Sequence, residues 1–422
     1  MLTLARPPIA VVVQQHAEEA AILRNVRSLL VRAPHVRLLQ LRRLDDRIAA
    51  HLDGLAVAAE FGTKLCQAAL ETPGAGEVFA AGVRAIEDQD TERLARLFAI
   101  AQALPEGERG LVSALGWVSA SLLQGTIKAL LLADDPFRRQ LAIAACVMHR
   151  VDPGSALAVA IADDDPSLRA RAMRAAGECG RRDLLPVSLK ALADEDAGCR
   201  FWATASAVLL GHRADASRAL AEQARVASPY REPALRLFLM FSDLPAGHAL
   251  LQSLARDAAQ NMRLLLHGTG IVGDPQYVPW LIKQMELPEL ARLAGESFGL
   301  ISGVDLSYLD LDRPPPEGVD FGPNDDPDDE NVAMDPDDSL PWPDVEKVHA
   351  WWRANQEHFQ PGQRYFMGEP LSVDHCRHVL REGYQRQRIV AALYLSGLQP
   401  GSRLFPTSAP AWRQQRWLAR SD

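Results

Sequence analysis

The sequence predicts an all-α fold, a solenoid of stacked helical hairpins about 30–31 residues each, with an acidic irregular insert. Two registers and the composition carry that reading. Arg109, Arg139, Arg169, Arg200, Arg231, Arg263 and Arg292 follow one another at spacings of 30, 30, 31, 31, 32 and 29 residues. Gly180, Gly211 and Gly273 keep the same period, 31 and then 62 residues apart, and Pro186 to Pro279 spans 93, three periods of 31. Ala, Leu and Arg are abundant while aromatics are only 6% of the 422 residues, which favours helices over sheets. Self-similarity at a fixed period marks an array whose units bury their apolar faces on one another, so the chain escapes the usual size of a single core.

Residues 1–60 read as an N-terminal helical cap with a short leading segment. Its early apolar run, Ile9 to Val13, is too short for a signal-peptide core and gives way to polar Gln14-Gln15-His16. No stretch approaches the roughly 18 apolar residues that cross a bilayer. Cys66, Cys146, Cys179, Cys199 and Cys376 are odd in number and form no CxxC pair, the pattern of free thiols in a reducing compartment. A cytoplasmic protein without membrane insertion is expected.

Residues 61–312 read as the repeat array. Within it, Asp135-Pro136-Phe137-Arg138-Arg139, Asp165-Pro166-Ser167-Leu168-Arg169 and Asp196-Ala197-Gly198-Cys199-Arg200 each place an Asp, a Pro or small residue and then the periodic Arg ahead of an apolar stripe. One unit is a hairpin: Leu184 to Leu192 has apolar residues three and four apart, Asp194-Glu195-Asp196 supplies capping carboxylates, and a second helix from about Gly198 stops at Gly211. These windows resemble HEAT-like repeats of the short bilin-lyase type, over about residues 90–303. The resemblance implies that Asp and Arg bond between adjacent units as a structural ladder.

Residues 313–346 read as an acidic, Pro-rich insert or linker. Pro314 to Glu346 carries twelve acidic residues and no Lys or Arg; taking that −12 from the overall −9 leaves +3 on the rest. Such a segment is not expected to hold regular structure alone. Residues 347–422 form a basic, Trp-rich module with eleven basic and five acidic residues, +6. Arg388-Ile389-Val390-Ala391-Ala392-Leu393 copies the stripe of Arg139-Gln140-Leu141-Ala142-Ile143-Ala144, so the module is expected to resume the solenoid. The acidic segment reads either as an irregular loop that keeps the protein soluble or as an electrostatic arm lying over the Trp and Arg surface of the adjoining basic module.

The two ends carry a narrower resemblance. His16-Ala17-Glu18-Glu19-Ala20, Pro34-His35 and Leu44-Asp45-Asp46-Arg47 with Ala50-His51-Leu52-Asp53-Gly54-Leu55 stand near the start. Trp351-Trp352, Pro361-Gly362-Gln363-Arg364-Tyr365, Met367-Gly368 and Gly383-Tyr384-Gln385-Arg386-Gln387-Arg388 stand near the finish. Together with the repeat body, this combination resembles a family of bacterial HEAT-like proteins whose genes often lie in type VI secretion clusters. The resemblance implies a genomic setting and brings no catalytic residue.

The residues offer little chemistry. His375-Cys376-x-His378 lacks the second ligand cluster that structural zinc needs, and the chain has no His-Glu dipeptide of the kind HEAT-like iron hydroxylases use. Asn324 to Asn331 is acidic but lacks the turning Gly and spaced Glu of a calcium loop. His51 and Asp53, two apart on a helix, point away from each other, and there is no phosphate-binding Gly loop. No cofactor and no catalytic residue are expected. Five of the eight tryptophans fall at or after Trp342, and Trp351, Trp352, Arg353, Arg364, Trp412, Arg413, Arg416 and Trp417 have the composition either of an interface hot spot or of a repeat cap. The expected function is a non-enzymatic scaffold or adaptor for a protein partner, a secretion component or effector. Nucleic acid is disfavoured by the attached −12 segment. The alternatives are a HEAT-like enzyme of the bilin-lyase or DNA-glycosylase kind and an immunity protein that binds a toxic effector.

Overall fold

A computed structural model describes residues 7–319, 321–322 and 333–420. Among these residues there are twenty-two α-helices, two short antiparallel ribbons, Asp312–Arg313 with Trp342–Pro343 and Tyr365–Phe366 with Glu369–Pro370, and an isolated bridge between Arg37 and Tyr384. The protein is all-α, as the registers predict. No helix is long and apolar enough to cross a membrane among the described residues.

The chain divides into two compact units. The first comprises Met1–Leu210, Arg381–Ser396 and Pro400–Asp422; the second comprises Gly211–Leu380 and Gly397–Gln399. The sequence shows no break at Leu210, because the Arg and Gly registers run through it unchanged.

Inside the first unit every second helix stacks on the next: Ala75–Glu87 on Pro105–Trp117, then Pro136–Met148, Pro166–Glu178 and Ala197–Leu209. The second unit repeats the device with Arg231–Phe241, Ala258–Val272 and Pro288–Ser302. Side-chain caps start three of these helices, with Asp135, Asp165 and Asp196 accepting from the amides of Phe137, Leu168 and Cys199. Gly180 (φ 70°) and Gly211 (φ 100°) end two of them in the left-handed region that a side chain avoids. Small residues bring the stacked helices close. Ser206 Oγ donates to Met173 O at 2.5 Å, and Ser297 Oγ makes the equivalent bond to Leu266 O at 2.8 Å. The buried stripes merge into continuous apolar cores, which is where most helix stability comes from.

The arginine register is a ladder. Arg139 pairs with Asp163 at 2.8 Å, and Arg169 with Asp194 at 3.1 Å, each reaching the turn before the next stacked helix. Arg231 likewise reaches forward to Asn261 Oδ1 at 2.6 Å, whereas Arg200, expected to bond a neighbouring unit, turns back to the carbonyls of Asp194 and Glu195 in the turn before its own helix. Burial pushes the Asp194 carboxyl upward, but Arg169 and the Asp196 amide win and hold it below the usual carboxylate range. Arg109 breaks the pattern: it is 70% exposed and comes no nearer to Glu106 than 3.7 Å.

The acidic insert supplies the last rungs. Arg263 makes a two-pronged pair with Asp337 at 2.9 and 2.6 Å, and Arg292 bonds Asp335 at 2.6 Å and the Asp337 carbonyl at 3.0 Å. The Arg292 guanidinium also lies over Trp342, 4.7 Å from the ring centre, and over Phe321 at 5.6 Å. The described flanks of the insert are therefore fastened to the ladder of the second unit, a role that neither sequence reading, a solubilising loop or an arm over the Trp and Arg surface, assigned to them. The Asn324–Asn331 acidic run lies wholly within residues 323–332, outside the described residues.

In the first unit the last residues pack on the first helices. Arg27 pairs with buried Asp45 at 2.5 Å and donates to the carbonyls of Ser408 and Ala409. Asp45 also accepts from the Ala411 amide at 2.6 Å. Arg388, fully buried, bonds Gln385 and Gln414, and burial lowers its pKa to about 10.

Candidate functional site

The eight Trp and Arg candidates fall into two groups with different fates. In the second unit, Arg364 is a stitch. Its guanidinium donates to the carbonyls of Val272, Met240, Leu239 and Ser242 at 2.5–3.1 Å, gathering two helix C-termini. Trp352 is buried between Phe298 and Phe359, and Trp351 turns its edge to Phe298 at 5.8 Å. Arg353 remains exposed on the same helix, Val345–Asn355. This group seals a core, the capping role that the composition equally allowed.

In the first unit the other four come together around a cleft. The helix Ala411–Leu418 lays Trp412, Arg413, Arg416 and Trp417 beside the C-terminus of Pro105–Trp117 and the turn that follows it. The cleft holds about 430 Å³ and is walled by Trp117, Trp412 and Trp417, with Glu87, Val118, His149, Arg416 and Arg420 around them. Trp117 meets Trp412 edge-on, ring centres 4.7 Å apart, and Phe79 backs Trp117 from the core at 5.6 Å. Such edge-to-face packing fixes the ring planes. Trp417 is held by Phe405 at 6.0 Å and by the Arg150 guanidinium at 5.4 Å from its ring.

Arg413 and His149 build the floor. Arg413 is 7% exposed and donates to the carbonyls of Gly116, Trp117 and Val118 at 2.8–3.0 Å. Burial, aided by Arg416 and Arg27, lowers its pKa to about 10, so it stays cationic at neutral pH. Its charge is spent on the negative end of a helix dipole. His149 Nε2 donates to Leu115 O at 2.8 Å, and burial with nearby Arg413 pushes its pKa below the ordinary histidine value. A neutral ring donating through Nε2 leaves Nδ1 as an acceptor.

A second groove of about 350 Å³ adjoins, sharing Ala120 and His149 and lined by Leu123, Ile127, Leu131, Cys146, Val151 and Pro153. Sequence reasoning named Trp412, Arg413, Arg416 and Trp417 but missed Trp117, His149 and Arg420. Trp117 and His149 sit at helix C-termini in the repeat body, some 300 residues away in sequence, so only the fold brings them in.

The remaining candidates are occupied locally. His375 bonds the Phe366 carbonyl at 2.8 Å, and burial pushes the Cys376 thiol up to about 12. His51 faces His16 with their Nδ1 atoms 3.0 Å apart. Among the described residues, no three of His, Cys, Asp and Glu converge as a metal-holding group. Comparison with family models, curated proteins and solved structures gives no match, so the reading of the cleft rests on its own geometry.

Proposed function

We propose that the chain is a non-enzymatic interaction scaffold that holds a protein partner through the Trp and Arg cleft of its first unit. One observation carries the reading: three tryptophan rings, fixed by their neighbours, wall a cleft whose rim carries the exposed guanidinium groups of Arg416 and Arg420. Rigid aromatic anchors beside arginines are the groups that dominate binding energy at protein interfaces. The adjoining apolar groove adds surface that an incoming side chain removes from water. The type VI secretion setting implied by the end motifs makes a secretion component or an effector the partner and the cytoplasm the place of action.

The test is affinity capture from the native host with the tagged full chain beside an Arg416→Glu/Arg420→Glu variant. A partner enriched by the wild type and lost by the variant is the expected result. Capture of the same proteins by both would overturn the assignment of the cleft as the contact site.

A further inference from the structure

Resting on that scaffold reading, we infer that the cleft and its groove take an acidic peptide segment carrying an apolar anchor residue. The argument is a charge census of the walls. Glu87 is paired with Arg84 at 3.0 Å, and Asp152 with Arg181 at 2.9 Å, so each carboxylate has a guanidinium partner, which Arg84 also lends to Asp88 and Arg181 to Asp183. Arg413 is committed to three carbonyls, and His149 is held neutral by burial. What remains is Arg416 and Arg420 on the cleft and Lys128 on the groove, three exposed cations for which no ion pair with a described residue exists. The lining thus carries four cations, Lys128, Arg413, Arg416 and Arg420, against two carboxylates, Glu87 and Asp152, a local +2 on a chain whose overall charge is −9.

Geometry narrows the ligand. Arg416 lies in the last turn of Ala411–Leu418 and Arg420 in the turn that follows it, and both line the cleft. A peptide that carries more than one carboxylate can engage both of these cations and Lys128 on the adjoining groove. The groove beside them offers Leu123, Ile127, Leu131 and Val151 to an aliphatic or aromatic side chain. A single-stranded nucleic acid would use the tryptophans for stacking, but it needs a cationic track along its phosphates, whereas here an apolar wall continues where the track would run.

Selection of a random-peptide library on the immobilised full chain, with counter-selection on the Arg416→Glu/Arg420→Glu variant, tests the inference. The expected peptides carry Asp or Glu flanking a Leu, Ile, Phe or Trp. A synthetic copy should bind the variant at least about tenfold more weakly, as the loss of two surface charge pairs implies, and lose affinity as salt rises. Cleft-dependent peptides that are neutral or basic would overturn the acidic ligand and leave the scaffold standing. Recovery of no peptide that discriminates wild type from variant would overturn both. Tighter binding of single-stranded oligothymidine, displaced by neither peptide class, would replace the peptide by a nucleic acid.

Discussion

Arg413 and Arg416 are three residues apart on one helix, and the sequence offers them as equals, yet their alanine variants should fail in opposite ways. Arg413→Ala removes the donor to three carbonyls at the end of Pro105–Trp117. Hydrogen bonds to a charged group are worth about 1.5–3 kcal/mol each, and three that share one guanidinium are not additive. Water entering from the open cleft offsets part of the loss. A net cost of about 3–5 kcal/mol follows, the range for breaking a buried charged contact. Because the chain has two compact units, a single melting temperature is a poor gauge, and amide hydrogen exchange read on Pro105–Trp117 and Ala411–Leu418 is the better assay. At 1.4 kcal/mol per decade, protection there should fall by about two to three and a half decades. Arg416→Ala, an exposed site, should stay within about 0.5 kcal/mol of wild type while weakening the partner. Unchanged protection in Arg413→Ala, or equal loss in Arg416→Ala, would refute the division of labour between the two.

Three further outcomes are expected. Arg169→Ala, which removes the pair with Asp194, should cost about 1–3 kcal/mol read by amide hydrogen exchange on Pro166–Glu178 and Ala197–Leu209, while Arg109→Ala should change little; equal effects would sink the ladder. Asp337→Asn weakens the two-pronged pair with Arg263 and should loosen the Ala258–Val272 and Pro288–Ser302 helices in exchange measurements, with Asp335→Asn/Asp337→Asn worse than either alone. His149 has a folded pKa below its unfolded value of about 6.5, so the unfolded chain takes up the proton first as pH falls. Its contribution to stability is full above about pH 6.5 and lost toward the lower folded value. His149→Gln keeps a donor for Leu115 O without titrating, and its stability should fall less than that of wild type between pH 7 and 5.

The hairpins were legible because their signals are local. Asp at the cap, Gly past the end and an apolar stripe of helical period sit within one unit of about 31 residues. The ladder was legible because it repeats at that same period. The boundary at Leu210 was not, since neighbouring units use the same residue types whether or not their cores join. Nor could composition separate Arg364 and Arg413 from Arg353 and Arg416. A guanidinium buried on helix-end carbonyls and one pointing to water are the same letter, and what distinguishes them is which carbonyls the fold delivers.

The acidic insert shows how a repeat array can be completed by a segment outside its register. In the array, Asp163 Oδ1 accepts from the Asp165 amide and Asp194 Oδ1 from the Asp196 amide, forming tight turns whose carboxylates face the preceding arginine. Asp335 Oδ1 accepts from the Asp337 amide at 2.9 Å in the same way, and Arg292 bonds that carboxylate and the Asp337 carbonyl. The turn Asp335-Pro336-Asp337 therefore does for Arg292 what Asp194-Glu195-Asp196 does for Arg169. Arg292 is 7% exposed, so without that turn its charge would be buried with its carboxylate partner gone, a loss comparable to the whole margin by which many domains stay folded. The sequence signal was present as an Asp-x-Asp triplet shared by all three turns, hidden in a run where nearly every residue is acidic. Much of the −12 charge belongs to residues outside this turn, whereas the two carboxylates that hold the fold are set apart by the amide hydrogen bond between them. Charge density locates such a segment, and turn geometry decides which of its charges the structure uses.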